Sequence, residues 1–273
     1  MKEKYKENFN YLSSSGVYPT VHRFIVLLEF YFGMMIIIFT NLWYWNYLSY
    51  YFTGDLFYPM EIIDNWWFEV IILILLPLNI YGNIFLFGIS VIGVSALIFK
   101  TINRIYPPKQ GIFEKGSREW RGMHFRYWTA YFPIWIARAL PLPWADLLCY
   151  RFFGAKLGKS LVTYEGYIDP LWVEIGDNTM TSLHICIFSH LIYHEKVFIK
   201  KVEIGKNCII GPHTIIMPGT KIEDEGILGA NSFTAIDQHL KGSLIHIGTP
   251  VESNLPIKSI EESRKKVEEK YLK

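Results

Sequence analysis

The chain has 273 residues, enough for one or two domains, and is 51% hydrophobic and 17% aromatic. Those fractions exceed the ordinary soluble range and point to membrane segments. A net charge of +2 leaves no electrostatic footprint for nucleic acid. Cys149, Cys186 and Cys208 form no CxxC pair, so they read as buried small hydrophobes in a reducing compartment.

The first twenty or so residues are polar, unlike a secretory signal. Residues 24–45, FIVLLEFYFGMMIIIFTNLWYW, then match the ~20 residues that cross a bilayer core. Trp43, Tyr44, Trp45, Tyr47, Tyr50 and Tyr51 crowd the end of this run, as expected at a membrane interface. Glu29 lies near its start, where the expectation is that it snorkels to the headgroups.

A second apolar run covers 66–99 and would rise roughly 51 Å as a single helix. Pro77, Asn79, Gly82 and Asn83 interrupt it, so one long broken helix and two short spans both remain open. Lys2, Lys4, Lys6 and Arg23 precede the first run, and Lys100, Arg104, Lys109, Lys115, Arg118 and Arg121 follow the second. The stretch 46–65 between them has no Lys or Arg. Positive charge at both ends predicts a two-span hairpin with both ends in the cytoplasm.

Residues 119–150 interleave Trp120, Trp128, Trp135 and Trp144 with Arg121, Arg126 and Arg138. Pro133, Pro141 and Pro143 are expected to break this zone into pieces too short to span, lying in the membrane interface.

A new period begins after it. Ile204, Ile210, Ile216, Ile222 and Leu228 recur every six residues, and Gly205, Gly211 and Gly229 follow three of them. A period of six fits neither a helix nor an ordinary strand; it marks a parallel β-helix with one buried aliphatic residue per rung. The same register reaches back through Ile187, Thr181, Ile175, Asp169 and Thr163 to Leu157, and Ile168 beside Asp169 signals a slipped corner. The register fails between Ile187 and Ile204, across SHLIYHEKVFIKKV, and this stretch reads as a loop leaving the coil. The chain leaves the coil through HIGTPVE at 246–252, and the charged tail 256–273 has an amphipathic helical pattern. The expected divisions are therefore a transmembrane hairpin region at 1–118, an interfacial segment at 119–150, a β-helix at 151–252 and a terminal helix at 253–273.

The string VEIGKNCIIGPHTIIMPGTKIEDEGILGANSFT, with SHLIYHE before it, resembles the hexapeptide-repeat acyltransferases, in particular galactoside and maltose O-acetyltransferases. RFFGAKLGKS at 151–160 and WVEIGDN at 172–178 also resemble the membrane-bound C-terminal half of poly-lysine synthetase-like proteins. The resemblance implies a left-handed coil, a homotrimer with sites between subunits, and no permanently bound cofactor. The co-substrate it implies is an acyl-CoA or a carrier-bound thioester, the latter requiring an acyl-carrier partner. Membrane lipids would surround the anchor, and the acceptor would be a lipid-linked or small-molecule hydroxyl or amine.

The resemblance also places roles. His190 stands at the family's catalytic histidine, and an imidazole titrating near neutrality suits a general base. His194 and Glu195 match the His-Glu pair that follows it, with Glu195 expected to orient His190 or meet the acceptor. Gly211, Gly229, Asn231, Gly248 and Thr249 occupy donor-groove positions, where backbone contacts dominate. Where the acetyltransferases often carry Trp, this chain has Cys208-Ile209. His213 reads as a stacked corner residue, and His184, six before His190, as a structural residue at the same rung position on the adjacent face. Two other functions use the same scaffold: a γ-carbonic-anhydrase-like zinc site, for which His190 and His194 are four apart where five is the family spacing, and a non-catalytic trimeric membrane scaffold.

Overall fold

The computed structural model describes residues 19–55, 66–140, 142 and 144–257. The first lysines, the 56–65 loop and the amphipathic tail from 258 onward lie outside the described residues. Two long helices open it: α1, Pro19–Thr53, and α2, Trp66–Ile105. Both are long and apolar enough to cross a membrane. Pro77 sits inside α2 without ending it, so the second run is one continuous helix of 40 residues.

Three asparagines tie the two helices together. Asn41 Nδ2 donates to Asn83 Oδ1 at 2.7 Å, Asn83 Nδ2 to Asn79 Oδ1 at 2.9 Å, and Asn79 Nδ2 to Asn41 Oδ1 at 2.8 Å. The ring closes on itself, so each of the three amides has a partner on the other helix or one turn away. Tyr44 adds a bond from its hydroxyl to the Ile72 carbonyl, 2.9 Å. Glu29 does not snorkel: it is fully buried, with Ser95 of α2 beside it.

α3, Arg118–Ala139, is capped by the Ser117 hydroxyl on the Trp120 amide and runs straight through Pro133. The expectation of short broken pieces fails here because packing from both sides holds the helix. Ile136 and Leu140 lie so close over Gly88 of α2 that a Cβ there would meet Leu140 at 2.7 Å. The opposite side of α3 lays Trp120 and Met123 on Val197 and Ile199.

From Lys156 the chain winds as a parallel coil with three flat faces. Ile175, Ile204, Ile222 and Leu240 pair in order on the first face. Thr181, Ile210, Leu228 and His246 pair on the second, and Ile168, Ile187 and Ile216 on the third. Five rung residues, Ile204, Ile210, Ile216, Ile222 and Leu228, are 3% exposed or less, as the period of six requires. Asn178, His184, Asn207, His213, Asn231 and Asp237 take the corners with φ between 54° and 61°. Asn, Asp and His tolerate that left-handed conformation better than most residues.

Two departures from the repeat shape the molecule. Ile168 pairs with Ile187, nineteen residues on, where Leu157 pairs with Ile175 at eighteen. Ile168 therefore fills the rung, and Asp169 is displaced from the inward register assigned to it. Ile175 pairs with Ile204 at twenty-nine, so eleven residues are inserted in that turn. They form an antiparallel hairpin, His190–Tyr193 with Lys196–Ile199, to which Gly111–Glu114 adds a third strand. The insertion is thus a small sheet and not an irregular loop.

The ends of the coil are covered. Leu244–Gly248 turns back into Val251–Pro256 as an antiparallel pair, so 253–256 is strand where a helix was expected. At the other end α4, Ala145–Phe152, leads to Phe153, which is fully buried and meets Phe99 of α2 edge-to-face at 5.1 Å. One apolar core runs unbroken from Ile92 and Phe99 to Leu240.

Neighbouring residues on one rung should respond very differently to truncation. Ile210→Ala, at a fully buried position, is expected to cost about 2–5 kcal/mol. Ile209→Ala, 45% exposed, should cost the unassembled subunit no more than about 0.5 kcal/mol. Denaturant unfolding followed by circular dichroism measures both, and equal losses would contradict the assigned inward register.

Candidate active site

The slipped corner and the hairpin insertion meet at one point. Asp169, 1% exposed, faces the first residues of the insertion. Its Oδ2 accepts from the Ser189 amide at 2.6 Å and the His190 amide at 3.2 Å, and lies 2.6 Å from His190 Nδ1. Its Oδ1 accepts from the Tyr167 hydroxyl at 2.9 Å. The Ser189 hydroxyl lies within reach of both Oδ2, 3.0 Å, and the Leu171 carbonyl, 2.7 Å. A carboxylate this deeply buried is stable only because donors surround it.

The arrangement fixes the histidine tautomer. A carboxylate accepts, so Nδ1 of His190 carries the proton and Nε2 keeps a lone pair. Burial opposes the charged ring, but the charge of Asp169 and its hydrogen bond together outweigh burial, and the His190 pKa lies above the ordinary value. Burial and the same carboxylate push the Tyr167 hydroxyl well up, so it stays a donor.

α3 forms the roof. Tyr127 meets the His190 ring edge-to-face at 5.5 Å, with its own pKa raised mainly by burial. Phe188 approaches His190 from the coil, 6.3 Å between rings. His124, its ring tilted against Trp120 at 4.8 Å, is held neutral: burial and the neighbouring His190 bring its pKa down to about 4. Met123, Arg126 and Tyr127 of α3 enclose a narrow cavity, about 30 Å³, with Asp169, Trp172 and His190. Trp172 takes φ +63°, a rare conformation for so large a residue.

Of the residues singled out in the sequence, the structure places His190 at this cavity and the others elsewhere. His194 and Glu195 form the turn of the hairpin, beyond the far end of a four-residue strand and so about 13 Å from His190 along it. The His194 ring packs on Tyr193, 4.2 Å between centroids, and the Glu195 carboxylate lies 3.3 Å from Lys115 Nζ. Glu195 therefore does not orient His190; Asp169 does. This also separates the two histidines that a zinc site would need together, and no metal-holding cluster of His, Cys, Asp or Glu occurs among the described residues.

Gly211 and Gly229 stack in one corner column, with Gly248 and Asn231 in the turns beyond them. A Cβ on Gly211 would come 2.6 Å from the Ala230 amide, so coil stacking alone demands glycine there. None of the described contacts of Gly211, Gly229, Asn231, Gly248 or Thr249 reaches His190. His184 and His213 stack on successive coils at 5.1 Å, at corner positions. Tyr167, Ser189 and Tyr127 went unnoticed in the sequence, and Asp169 was given no role beyond the slipped corner it marks with Ile168. The available signal was that slip itself, an acid at an inward rung position beside an isoleucine able to replace it.

Residues 201–235 match the family described as bacterial transferase hexapeptide (six repeats). Galactoside O-acetyltransferase of Escherichia coli (strain K12) is 25% identical over 39% of this chain and 57% of its own length. YvoF of Bacillus subtilis (strain 168) is 30% identical over 43% of this chain and 64% of its own. The chain thus spans under two thirds of either relative. Among solved structures, a galactoside acetyltransferase in complex with coenzyme A superposes with a TM-score of 0.42 at 16% identity, covering 60% of this chain and 93% of the other.

Histidine NMR on the detergent-solubilised chain should show His190 titrating above the ordinary imidazole value. In Asp169→Asn it should titrate below that value, because burial persists and the compensating charge is gone. An unchanged titration would remove Asp169 as the partner that sets the ring.

Proposed function

We propose that this hexapeptide-repeat chain is a membrane-anchored acyltransferase that moves an acyl group, acetyl in the simplest case, from a coenzyme A or carrier thioester to a hydroxyl or amine. The observation that carries the proposal is His190, its Nδ1 held 2.6 Å from buried Asp169 on a hairpin that leaves a transferase-type repeat. The named activity of the Escherichia coli relative supports the same reading.

In this mechanism Nε2 of His190 removes the proton as the acceptor attacks the thioester carbonyl. A carbon–oxygen or carbon–nitrogen bond forms, the tetrahedral intermediate collapses, and the carbon–sulfur bond breaks. The imidazolium then returns its proton to the departing thiolate. Asp169 keeps the tautomer and steadies the cation formed on the way, as the carboxylate does in serine-protease triads. The hairpin tip with His194 and Glu195 borders an open, mostly apolar groove of about 1040 Å³. We assign that groove to the donor arm, along with the corner column of Gly211, Gly229, Asn231, Gly248 and Thr249.

The assembly in this proposal is a left-handed coil that forms a homotrimer. The outer side of the first face is a ladder of charge: Glu174 pairs with Lys156 and Lys201 at 2.6 Å each, and Lys201 with Glu203 at 2.7 Å. The second and third faces instead expose Val162, Met180, Ile209 and Ile215. Apolar faces on two sides of a prism fit a closed three-fold assembly. The membrane part of the proposal rests on α1, α2 and the positive charge outside both ends.

His190→Ala leaves Asp169 its Tyr167, Ser189 and backbone donors, so it should still fold while lowering kcat for acetyl transfer from acetyl-CoA into a membrane extract by about 10²–10⁴-fold. Full transfer by this variant would end the assignment. Wild-type kcat/KM should rise with pH through a pKa above the ordinary histidine value, since the raised His190 must lose its proton before it can act. A cysteine placed at Asp55 should be labelled only from outside the cytoplasm; labelling from the cytoplasmic face would overturn the two-span arrangement.

A further inference from the structure

We propose that Arg126 is an anion anchor and that the acyl acceptor carries a phosphate group close to the atom that is acylated. This rests on the acyltransferase reading and names the class of its acceptor.

Arg126 is 5% exposed and stands on α3 in the wall of the cavity that holds His190. A guanidinium has five N–H donors. Here Nη1 donates to the Tyr106 carbonyl at 2.7 Å, and no carboxylate among the described residues forms an ion pair with the group. Asp169, the acid that lines the same cavity, is already engaged by Tyr167, Ser189 and His190. Burial alone draws the Arg126 pKa down to about 10, which still leaves it charged at neutral pH. A buried cation without a counter-ion is costly, and folds keep one where a ligand completes it.

Its position indicates the anion. Tyr106 directly follows the end of α2, and Arg118 donates to the Ile105 carbonyl at the same place. If α2 crosses the bilayer, Arg126 lies where that helix emerges, near headgroup level. A planar fork of donors suits a phosphate by two parallel bonds. The cavity is too narrow for a whole sugar or lipid, so Arg126 meets the phosphate at the wall and the rest of the acceptor stays outside. Two sources share this chemistry: a lipid-linked phosphate and a soluble phosphorylated acceptor.

The test supplies radiolabelled acetyl-CoA and the purified full chain, in polyoxyethylene-ether micelles, with membrane and soluble extracts of the source cells. The labelled product should bind an anion exchanger and lose that binding after phosphatase or mild acid. Recovery in the organic phase identifies the lipid-linked source, and recovery in water the soluble one. A neutral product, or retention that survives both treatments, overturns the proposal. Inorganic phosphate should compete with the acceptor and not with acetyl-CoA; competition only with acetyl-CoA would place Arg126 on the donor and also overturn it. Arg126→Gln should raise the acceptor KM at least about tenfold with a smaller change in kcat, and Arg126→Lys should recover part of the loss. Equal kinetics for Gln and Lys count against a charge role. If no labelled product forms from either extract, the acyltransferase reading itself fails.

Discussion

A parallel coil has two raw ends, each exposing a rung of aliphatic side chains and a row of backbone groups. How this chain covers the first end determines nearly everything else about it. Phe153, buried completely, lies over the first turn and meets Phe99 of the second long helix. Removing a phenylalanine from such a position typically costs about 3–5 kcal/mol. That contact makes the apolar helix pair and the coil one core and not two tethered domains. The helix from Arg118 to Ala139 is then trapped between them, one side on Gly88 and the other on Val197 and Ile199. Its tyrosine and arginine reach the cavity because the coil is docked and not free to swing.

The site itself arises from two faults in the repeat. Most rungs bury an aliphatic residue and offer no chemistry. The rung falls one residue early, on Ile168, with the extra residue after it, and Asp169 is turned aside. Eleven extra residues in the next coil let His190 leave the prism at the same corner. Neither fault is useful alone. A displaced aspartate without the insertion would be a buried charge lacking its donors, and the insertion without the aspartate would leave His190 buried and poorly basic. Ser189, Tyr167 and two backbone amides complete the carboxylate, so the strain of the irregular coil is offset by charge-assisted hydrogen bonds.

This explains what could be read from the sequence. The period of six was legible because each rung needs one aliphatic residue at a fixed spacing, whatever lies around it. His190 was legible from its resemblance to a known motif. Its partner was not, since the slip made Asp169 look like a rung residue, and the nearest acid in sequence, Glu195, lies at the other end of a strand. The pairing of Gly111–Glu114 with Lys196–Ile199 joins segments more than eighty residues apart and leaves no local pattern. Pro133 was read as a breaker, yet packing on both sides keeps its helix continuous. In each failure a tertiary contact overrode a local signal.

The same logic distinguishes the histidines. His184 and His213 stack on each other at coil corners, where a short polar ring tolerates φ near +56° and solvent is close. His124 is buried beside another histidine and stays neutral, so it shapes the roof without contributing charge. Among the described histidines, His190 alone combines a committed nitrogen, a free one and a position at a cavity. Burial would ordinarily make such a ring a weaker base, but Asp169 reverses the sign. Basicity at this site is therefore set by a residue from the preceding coil, and any change that shifts the two coils relative to each other alters the chemistry before it alters the fold.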